Sequence, residues 1–466
     1  MLLLSVATLD ANIPAQQVTT PHTESERQLV KAAKAADKTV LRVLLQQNVN
    51  VNTPDVDGTT ALHWATHHDD VESAELLIRA GADVRAADRY GVTPLSLACT
   101  NGSAVMIEKL LRAGADPNSV LPEGETALMT AARVGNPDAV NVLLAHKANV
   151  NARESWRGQT ALMWAVAQKH AAVARALIEH GADVNARSNS GFTPLLFAVR
   201  MGDMDSARLL LSAGANANDA APDGSSVLIV AITNARYELA AFLLDNDADA
   251  NADHLGWTPL HAAILARNPG TGPTPNTPTG SMDSLECIEA LLAHGADPDA
   301  RSTARLSGTY TFLNTVGATP FLLAAVYVDV LAMRTLLRGG ADPLIATTTH
   351  TTPLMAAAGI GFDEGSHTGW SESAALAAVK LALEPGGDVN AVDDLGNTAL
   401  HGAALTGANS VINFLAEKGA RLDVKNKQGW LPVTIADGVY DGFLYKFRPE
   451  AGAALRKLMA GNGPGK

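Results

Sequence analysis

The chain has 466 residues and a formal net charge of −13 at pH 7, with 48 acidic and 35 basic side chains. This excess of negative charge argues against nucleic-acid binding as the main task, because a phosphate backbone would be repelled. No stretch after Met1–Asp10 approaches the roughly 20 apolar residues of a membrane span, and Cys99 and Cys287 lie in well-separated helices, so we expect no disulfide between them.

The first stretch of the chain, residues 1–24, shows no regular pattern. Met1–Asp10 is apolar but short, and no Lys or Arg precedes it, so as written it is a poor secretory signal peptide. Two interpretations stay open: a disordered cytoplasmic tail, or the truncated end of an export signal within residues 1–17. The second would place the protein in the periplasm or outside the cell, so the compartment is left open.

From residue 25 onward the chain repeats one pattern with a period of about 33 residues. In Gly158–Ser190, Thr160 can cap a helix that begins in the apolar run Ala161–Ala165. A second apolar run, Ala174–Ile178, has helical spacing and stops shortly before Gly181, a residue that closes helices in the left-handed conformation. One repeat therefore predicts a turn, a helix, a turn, a second helix and a loop.

A single helical hairpin of this size cannot fold alone. Ordering about 33 residues costs on the order of 50 kcal/mol, which requires near 2,000 Å² of buried apolar surface, and only stacked neighbours can supply it. The pattern predicts an all-α solenoid with short loop hairpins, in a single domain over residues 25–460 with a flexible tail at 461–466. Its eleven repeats begin at Ser25, Gly58, Gly91, Gly124, Gly158, Gly191, Gly224, Gly256, Gly317, His350 and Gly396, and a C-terminal cap begins at Gly429.

The motifs inside the repeats resemble those of the ankyrin-repeat family. The family pattern G-x-T-P-L-H-x-A is written at Gly91–Leu95 and, with its histidine, at Thr258–His261, and L-L-x-x-G-A-D is written at Leu110–Asp116. The resemblance implies an ankyrin solenoid acting as a non-catalytic scaffold for protein–protein interaction. It implies no cofactor and a monomer that binds another, unidentified protein. Its similarity to multi-repeat ankyrin proteins of environmental bacteria favours the export-signal interpretation of the first residues.

The same resemblance implies which side chains contact the partner on the concave face. In ankyrin arrays these flank the opening glycine or lie at the exposed end of the first helix, nine and ten residues after it. Aromatic residues, Arg and Met are enriched in binding hot spots, and aromatics are only 5% of this chain. The alternative, that each ring packs on a neighbouring loop, stays open, whereas Trp64 and Trp164 are expected in the core. The candidate partner-binding residues are Arg89, Tyr90, Arg133, Trp156, Arg157, Phe192, Arg200, Met201, Trp257 and Tyr327.

We find no catalytic or metal-binding signature, such as a P-loop, H-E-x-x-H, C-x-x-C pair or nucleophile elbow. His63 and His67 are four residues apart and could share a helix face. However, His63 occupies the histidine position of the motif, where we expect the imidazole to satisfy backbone groups between repeats. Recurrent pairs such as Asp183 and Asn185 are expected to form turns rather than calcium loops. The sequence therefore predicts no enzyme, metal site or catalytic residue.

Departures from the repeat mark weak joints and insertions. Asn48, Lys147 and Asp247 replace the closing glycine, where we expect the left-handed conformation at some cost for Lys. Insertions at 268–281, 304–316 and 362–373 flank a regular repeat and are either functional or disordered.

Two other functions are kept as alternatives. The inserted loops around 317–373 could form a ligand-binding or enzymatic site with His350, Asp363, Glu364, His367 and Trp370 as participants. The protein could also be an immunity or protective protein of an operon, which predicts a toxin or an oxidative enzyme encoded by a neighbouring gene.

Overall fold

The computed structural model describes residues 23–253, 256–268, 280–305, 313–362, 370–438 and 447–461. Residues 1–22 and 462–466 of the predicted tails lie outside this description, as do 269–279, 306–312 and 363–369 of the three insertions. Within the described ranges, no helix combines the length and the apolar character that a membrane crossing demands.

The chain forms two compact units, the first up to Trp156 and the second from Arg157. Each is described by itself, and the single domain predicted over 25–460 stays a prediction. The first unit consists of four helix pairs. In each pair the first helix begins after a capping threonine and the second after a short turn. The pairs are α1 (Glu24–Lys34) and α2 (Lys38–Gln46), α3 (Ala61–His67) and α4 (Val71–Arg79), α5 (Pro94–Asn101) and α6 (Ala104–Arg112), and α7 (Ala127–Val134) and α8 (Pro137–Ala145).

The second unit continues the same pairing over eight helix pairs. They are α9 (Ala161–Ala167) and α10 (Ala171–Glu179), α11 (Pro194–Met201) and α12 (Met204–Ser212), α13 (Val227–Thr233) and α14 (Tyr237–Leu244), α15 (Pro259–Arg267) and α16 (Ser284–Ala293), α17 (Pro320–Val326) and α18 (Val330–Arg338), α19 (Pro353–Ala358) and α20 (Glu372–Leu383), α21 (Ala399–Thr406) and α22 (Asn409–Glu417), and α23 (Pro432–Ala436) and α24 (Pro449–Gly461). The described residues thus contain the eleven predicted repeats and the cap, and the all-α fold class is confirmed.

Within each unit the helices form two layers. The first helices of successive pairs pack on one another, as α1, α3, α5 and α7 do, and the second helices form the other layer, as α2, α4, α6 and α8 do. We call these the inner and outer helices. The only extended pairing in the described residues is two isolated β-bridges in loops, Val120 with Thr126 and Ala220 with Ser226.

The helix boundaries follow from capping groups in the sequence. Thr93 Oγ1 accepts a hydrogen bond from Ser96 N at the start of α5 (3.2 Å), and Pro94 supplies the first helical residue without losing a donor. At the ends of the outer helices, Asn48, Lys147 and Asp247 adopt φ of 52°, 68° and 64°. The predicted left-handed conformation at these three replaced glycines is therefore confirmed.

Asparagine side chains connect successive repeats, which is more than the turn-forming role predicted for them. Asn185 N does donate to Asp183 Oδ1 (2.9 Å), as a turn requires. However, Asn185 Nδ2 also donates to Gly214 O (3.2 Å), and its Oδ1 accepts from Asn216 N (3.3 Å) in the next repeat. Each such side chain therefore satisfies two backbone groups of its neighbour.

The ends of the first insertion are held by polar contacts. Arg267 Nε lies 2.6 Å from Asp329 Oδ2, which also accepts from Asn268 Nδ2 (3.2 Å). On the other side, Ser281 N donates to Glu238 Oε1 (2.7 Å), and this contact lowers the pKa of Glu238. The loop therefore leaves and rejoins the stack at fixed points.

Candidate interaction surface

The loops between repeats end in turns that backbone and carboxylate groups hold in place. Asp88 Oδ1 accepts hydrogen bonds from Tyr90 N (2.8 Å) and Val92 N (2.9 Å). In the same way, Glu154 Oε2 accepts from Trp156 N (2.7 Å). Both aromatic residues therefore project from an ordered turn rather than from a loose loop.

Successive tips in the first unit contact one another. Arg89 N donates to Asp57 O (2.9 Å), and the Arg89 guanidinium reaches Val56 O (2.8 Å) and Asp57 Oδ1 (2.7 Å). Further along, Pro122 packs so tightly on Gly91 that a Cβ there would lie 3.1 Å from its Cδ, and Ser155 N donates to Glu123 O (3.0 Å). The tips thus form a continuous edge of the unit.

Three large apolar side chains of this edge are exposed one or two residues before an opening glycine. Val56 is 88% exposed, Tyr90 65% and Trp156 73%. We call these three residues the tip ridge. Val56 was missed by sequence reasoning because its residue type is common. The usable signal was its position two residues before the opening glycine, which it shares with Arg89 and Trp156.

The ends of the inner helices in the first unit carry cations. The Arg133 guanidinium is exposed and lies 3.7 Å from Glu125 Oε1. Lys34 Nζ, which is nine residues after Ser25 and was also missed, lies 4.8 Å from the centroid of the Trp64 ring. Trp64 and Trp164 are half-buried, so the expectation that both lie in the core is wrong. The Trp64 ring instead lies against the preceding repeat, through its cation–π contact with Lys34.

The second unit holds the remaining candidate residues. Phe192 is half-buried, its ring centroid lies 5.7 Å from that of Phe197, and the Arg200 guanidinium stacks on both rings at 5.5 and 5.9 Å. Phe192 therefore packs on α11 of its own repeat, while Arg200 stays exposed above it. Arg157 is exposed, whereas Met201 and Trp257 are half-buried.

Tyr327 does not have the exposure predicted from its position. It is only 7% exposed, so the expectation of a solvent-facing side chain is wrong. The physical reason is local: α17, which Tyr327 follows, packs on the long α20 as well as on α19, and Val326 and Val328 beside it are also buried.

The motif histidines have the structural role predicted for them. His63 Nδ1 accepts from Thr60 N (3.1 Å), and its Nε2 lies 3.1 Å from Val92 O in the next repeat. Burial lowers the pKa of His63, and it lowers the pKa of His261 to about 4. These imidazoles are therefore neutral hydrogen-bonding groups between repeats. Among the residues that the structure describes, no group of three or more His, Cys, Asp or Glu could hold a metal ion.

The residues of the alternative site are only partly described. His350 Nδ1 lies 2.7 Å from Asp394 Oδ1, and Trp370 packs on Phe362 with ring centroids 5.3 Å apart. Asp363, Glu364 and His367 lie outside the described residues. A cleft of about 260 Å³ lies beside the ends of the second and third insertions. Its lining includes Leu313, Asn314, Thr349, Thr351, Ile360, Gly361, Asp393 and Leu395, but neither His350 nor Trp370.

Comparisons with known proteins agree with the repeat pattern. A family profile described as ankyrin repeats (3 copies) matches residues 29–120, 74–154, 95–188, 154–221 and 195–302, and a second, ankyrin repeats (many copies), matches 378–436. The human SH3 and multiple ankyrin repeat domains protein 2 is 29% identical over 191 residues, which are 36% of this chain and 10% of that protein. The chain thus spans about a tenth of the length of that relative. The crystal structure of the human ASB11 ankyrin repeat domain is 29% identical and covers 47% of this chain and 98% of its own, with a TM-score of 0.43.

Proposed function

The chain belongs to the ankyrin-repeat family, and we propose that it is a non-catalytic scaffold that binds another protein, with the tip ridge as the central contact in the first unit. Ankyrin repeats are generally protein–protein interaction modules. Beyond this general role, we propose which residues contact the partner. In the second unit, Arg157, Phe192, Arg200, Met201 and Trp257 are the proposed contacts.

The exposure of the tip ridge is the observation that supports the proposal. Trp156 and Tyr90 together with Val56 place large apolar surface in solvent, although none of them contributes to a core. Exposed apolar side chains with polar neighbours are typical of interaction sites, and aromatic side chains supply much of the binding free energy there.

The turns that carry Tyr90 and Trp156 are held by hydrogen bonds before any partner binds. Because Asp88 and Glu154 fix the backbones of Tyr90 and Trp156, these two turns lose little backbone entropy on binding. Arg200 has a similar advantage in the second unit, since its guanidinium is already stacked on Phe192 and Phe197. A partner therefore meets two ordered turns and one stacked guanidinium that are in place before contact.

The test is a capture experiment followed by affinity measurement. The full chain, immobilised, is used to capture proteins from the native organism, and the captured protein is then purified and titrated against three forms of the chain. The ridge variant carries Val56→Ser, Tyr90→Ala and Trp156→Ala. The control carries Val43→Ser and Val105→Ser, two exposed apolar positions on the outer helices α2 and α6.

We expect the ridge variant to bind the captured protein at least about 30-fold more weakly, since hot-spot truncations cost about 2 kcal/mol or more. The control should bind like the unmodified chain. Equal affinity for the ridge variant and the unmodified chain would remove the tip ridge from the interface. In that case the rings are surface residues without a partner role.

The cleft of about 260 Å³ favours a second candidate function, a ligand site near the inserted loops. The cleft combines apolar walls with the hydroxyl groups of Thr349 and Thr351, a mixture typical of small-molecule sites. A ligand screen by NMR should then find compounds whose binding is lost in Leu395→Trp, which fills the cleft from an exposed position. Compounds that bind both forms equally, or an absence of hits, would contradict this second function.

A further inference from the structure

We propose that the groove between α1 and the first hairpin tip binds an acidic segment of the partner protein. This inference rests on the proposed protein-binding function and adds the chemistry of the partner. The groove has a volume of about 610 Å³ and is lined by Arg27, Val30, Lys31, Lys34, Pro54, Asp55 and Val56. A volume of this size lies in the range of sites that enclose drug-sized ligands, so it admits several side chains of a peptide.

The cations of the groove lie on one face of α1. Arg27, Lys31 and Lys34 follow the i, i+4, i+7 spacing, and all three side chains are exposed. Lys31 has a contact of 3.8 Å with Glu24, and such exposed pairs are weak. This face is thus positive on a chain whose net charge is −13.

The lining of the groove contains one carboxylate, Asp55, against three cations. Asp55 Oδ1 accepts from Val56 N (2.7 Å) and so helps to fix the turn. At the other end of the row, Lys34 is positioned by the Trp64 ring. Complementary charge would attract an acidic segment, raise its association rate and fix its register in the groove.

The floor and rim of the groove indicate a peptide rather than a nucleic acid. Val30 lies buried at the floor, and Val56 is at the rim, where the groove meets the tip ridge. A segment with apolar residues between carboxylates fits both features, and it can continue from the groove onto the ridge. Three cations would release few counterions from a phosphate backbone, so a nucleic acid would gain little binding free energy in this groove.

Fluorescence anisotropy with defined probes tests this proposal. The probes are a twelve-residue peptide that alternates Glu or Asp with Leu, the same peptide with Lys in place of every acidic residue, and a single-stranded oligothymidylate as a generic polyanion. The full chain is compared with Lys31→Glu/Lys34→Glu and with the milder Lys31→Gln/Lys34→Gln. The control is Lys425→Glu/Lys427→Glu, which makes the same charge change at exposed lysines of the second unit. Thermal unfolding confirms that each variant is folded.

We expect the acidic peptide to bind at least tenfold more tightly than the basic one, with an affinity that falls as salt is added. The glutamate variant should lose at least tenfold, the glutamine variant less, and the control nothing. Binding of the acidic peptide that is unchanged in both groove variants, absent altogether or no tighter than that of the oligothymidylate would overturn the proposal.

The same variants separate this inference from the protein-binding function. Suppose that the ridge variant loses the captured native partner while the groove variants keep it. Then the scaffold function stands, and the acidic-segment proposal is wrong. If the ridge variant and the groove variants all keep the partner at full affinity, both proposals fail.

Discussion

His261 Nε2 lies 3.0 Å from Ala318 O, although the two residues are 57 positions apart. The corresponding pairs, His63 with Val92 and His401 with Trp430, are only 29 positions apart. The first two insertions therefore lengthen the chain between His261 and Ala318 but keep the hydrogen bond that joins the two repeats. The repeat-to-repeat connection is kept, and extra chain is added outside it.

This buried histidine makes stability depend on pH. Protonation would place a hydrogen on His261 Nδ1, which already faces Thr258 N (3.2 Å), and burial lowers the pKa of His261 to about 4. The unfolded chain binds the proton near pH 6.5, so stability is complete above that pH and falls as the pH drops towards about 4. The loss should amount to about 3 kcal/mol.

Urea unfolding at several pH values between 7 and 4 measures this effect. The unmodified chain is compared with His261→Gln, which cannot titrate, so that the contributions of His63 and His401 cancel in the difference. The free-energy difference between the two proteins should shrink as the pH falls through this window. A difference that stays constant with pH would contradict the assignment of a neutral, depressed-pKa imidazole.

Asn390 links two repeats near the C-terminus, and we expect its side-chain hydrogen bonds to add to the free energy of unfolding beyond its role in the turn. Asn390 Nδ2 donates to Gly419 O (3.1 Å), and its Oδ1 accepts from Arg421 N (2.8 Å). Asn390→Ala removes both bonds and should cost about 1–3 kcal/mol, whereas Asn390→Asp keeps the acceptor and should cost less. Urea unfolding of the two variants checks this order, and equal costs would show that the bond accepted from Arg421 N contributes nothing.

Replacing Lys147 by glycine should raise the free energy of unfolding of the protein. Its φ of 68° is unfavourable for a residue with a Cβ, and Lys147→Gly keeps the backbone contacts of Lys147. We expect a gain of about 1 kcal/mol. Lys418 is the matched control, because it precedes a closing glycine and has a φ of −86°, so Lys418→Gly should not stabilise. Calorimetry of both variants measures the two effects, and a loss at residue 147 would contradict the prediction.

Arg267 and Asp329 form an ion pair at the base of the first insertion, and we expect a large coupling free energy between their side chains. The Arg267 and Asp329 side chains are 21% and 9% exposed, and Asp329 Oδ1 also caps α18 through Ala332 N (3.1 Å). Asp329→Ala leaves a poorly solvated guanidinium and should cost about 3 kcal/mol or more. A double-mutant cycle with Arg267→Ala isolates the pair, and a coupling free energy near zero would show that the two side chains act independently.

Local signals made most of the fold predictable. The capping threonines, the prolines that follow them and the closing glycines act within a few residues, so they can be read from the sequence, and even Lys147 has the conformation that its position indicates. The burial of Tyr327 could not be read in this way, because it depends on contacts between α17 and α20, an outer helix of the following repeat that is longer than most of the other outer helices.

The candidate site was predictable only where residue type signalled it. Tyr90 and Trp156 were found because aromatic residues are rare in this chain, and both are exposed at the tips as expected. Val56 and Lys34 were missed, since neither type is unusual and their roles depend on neighbours in three dimensions. Lys34 lies over a ring from the next repeat, which no spacing rule predicts.

Hydrogen exchange of the full chain, with and without its captured protein partner, tests the central claim most directly. We expect slower exchange in peptides that cover residues 54–57, 88–92 and 154–156 of the first unit, with little change in the outer helices α4 and α6. Protection confined to those outer helices, or to residues 349–361 and 393–397 at the cleft, would contradict it.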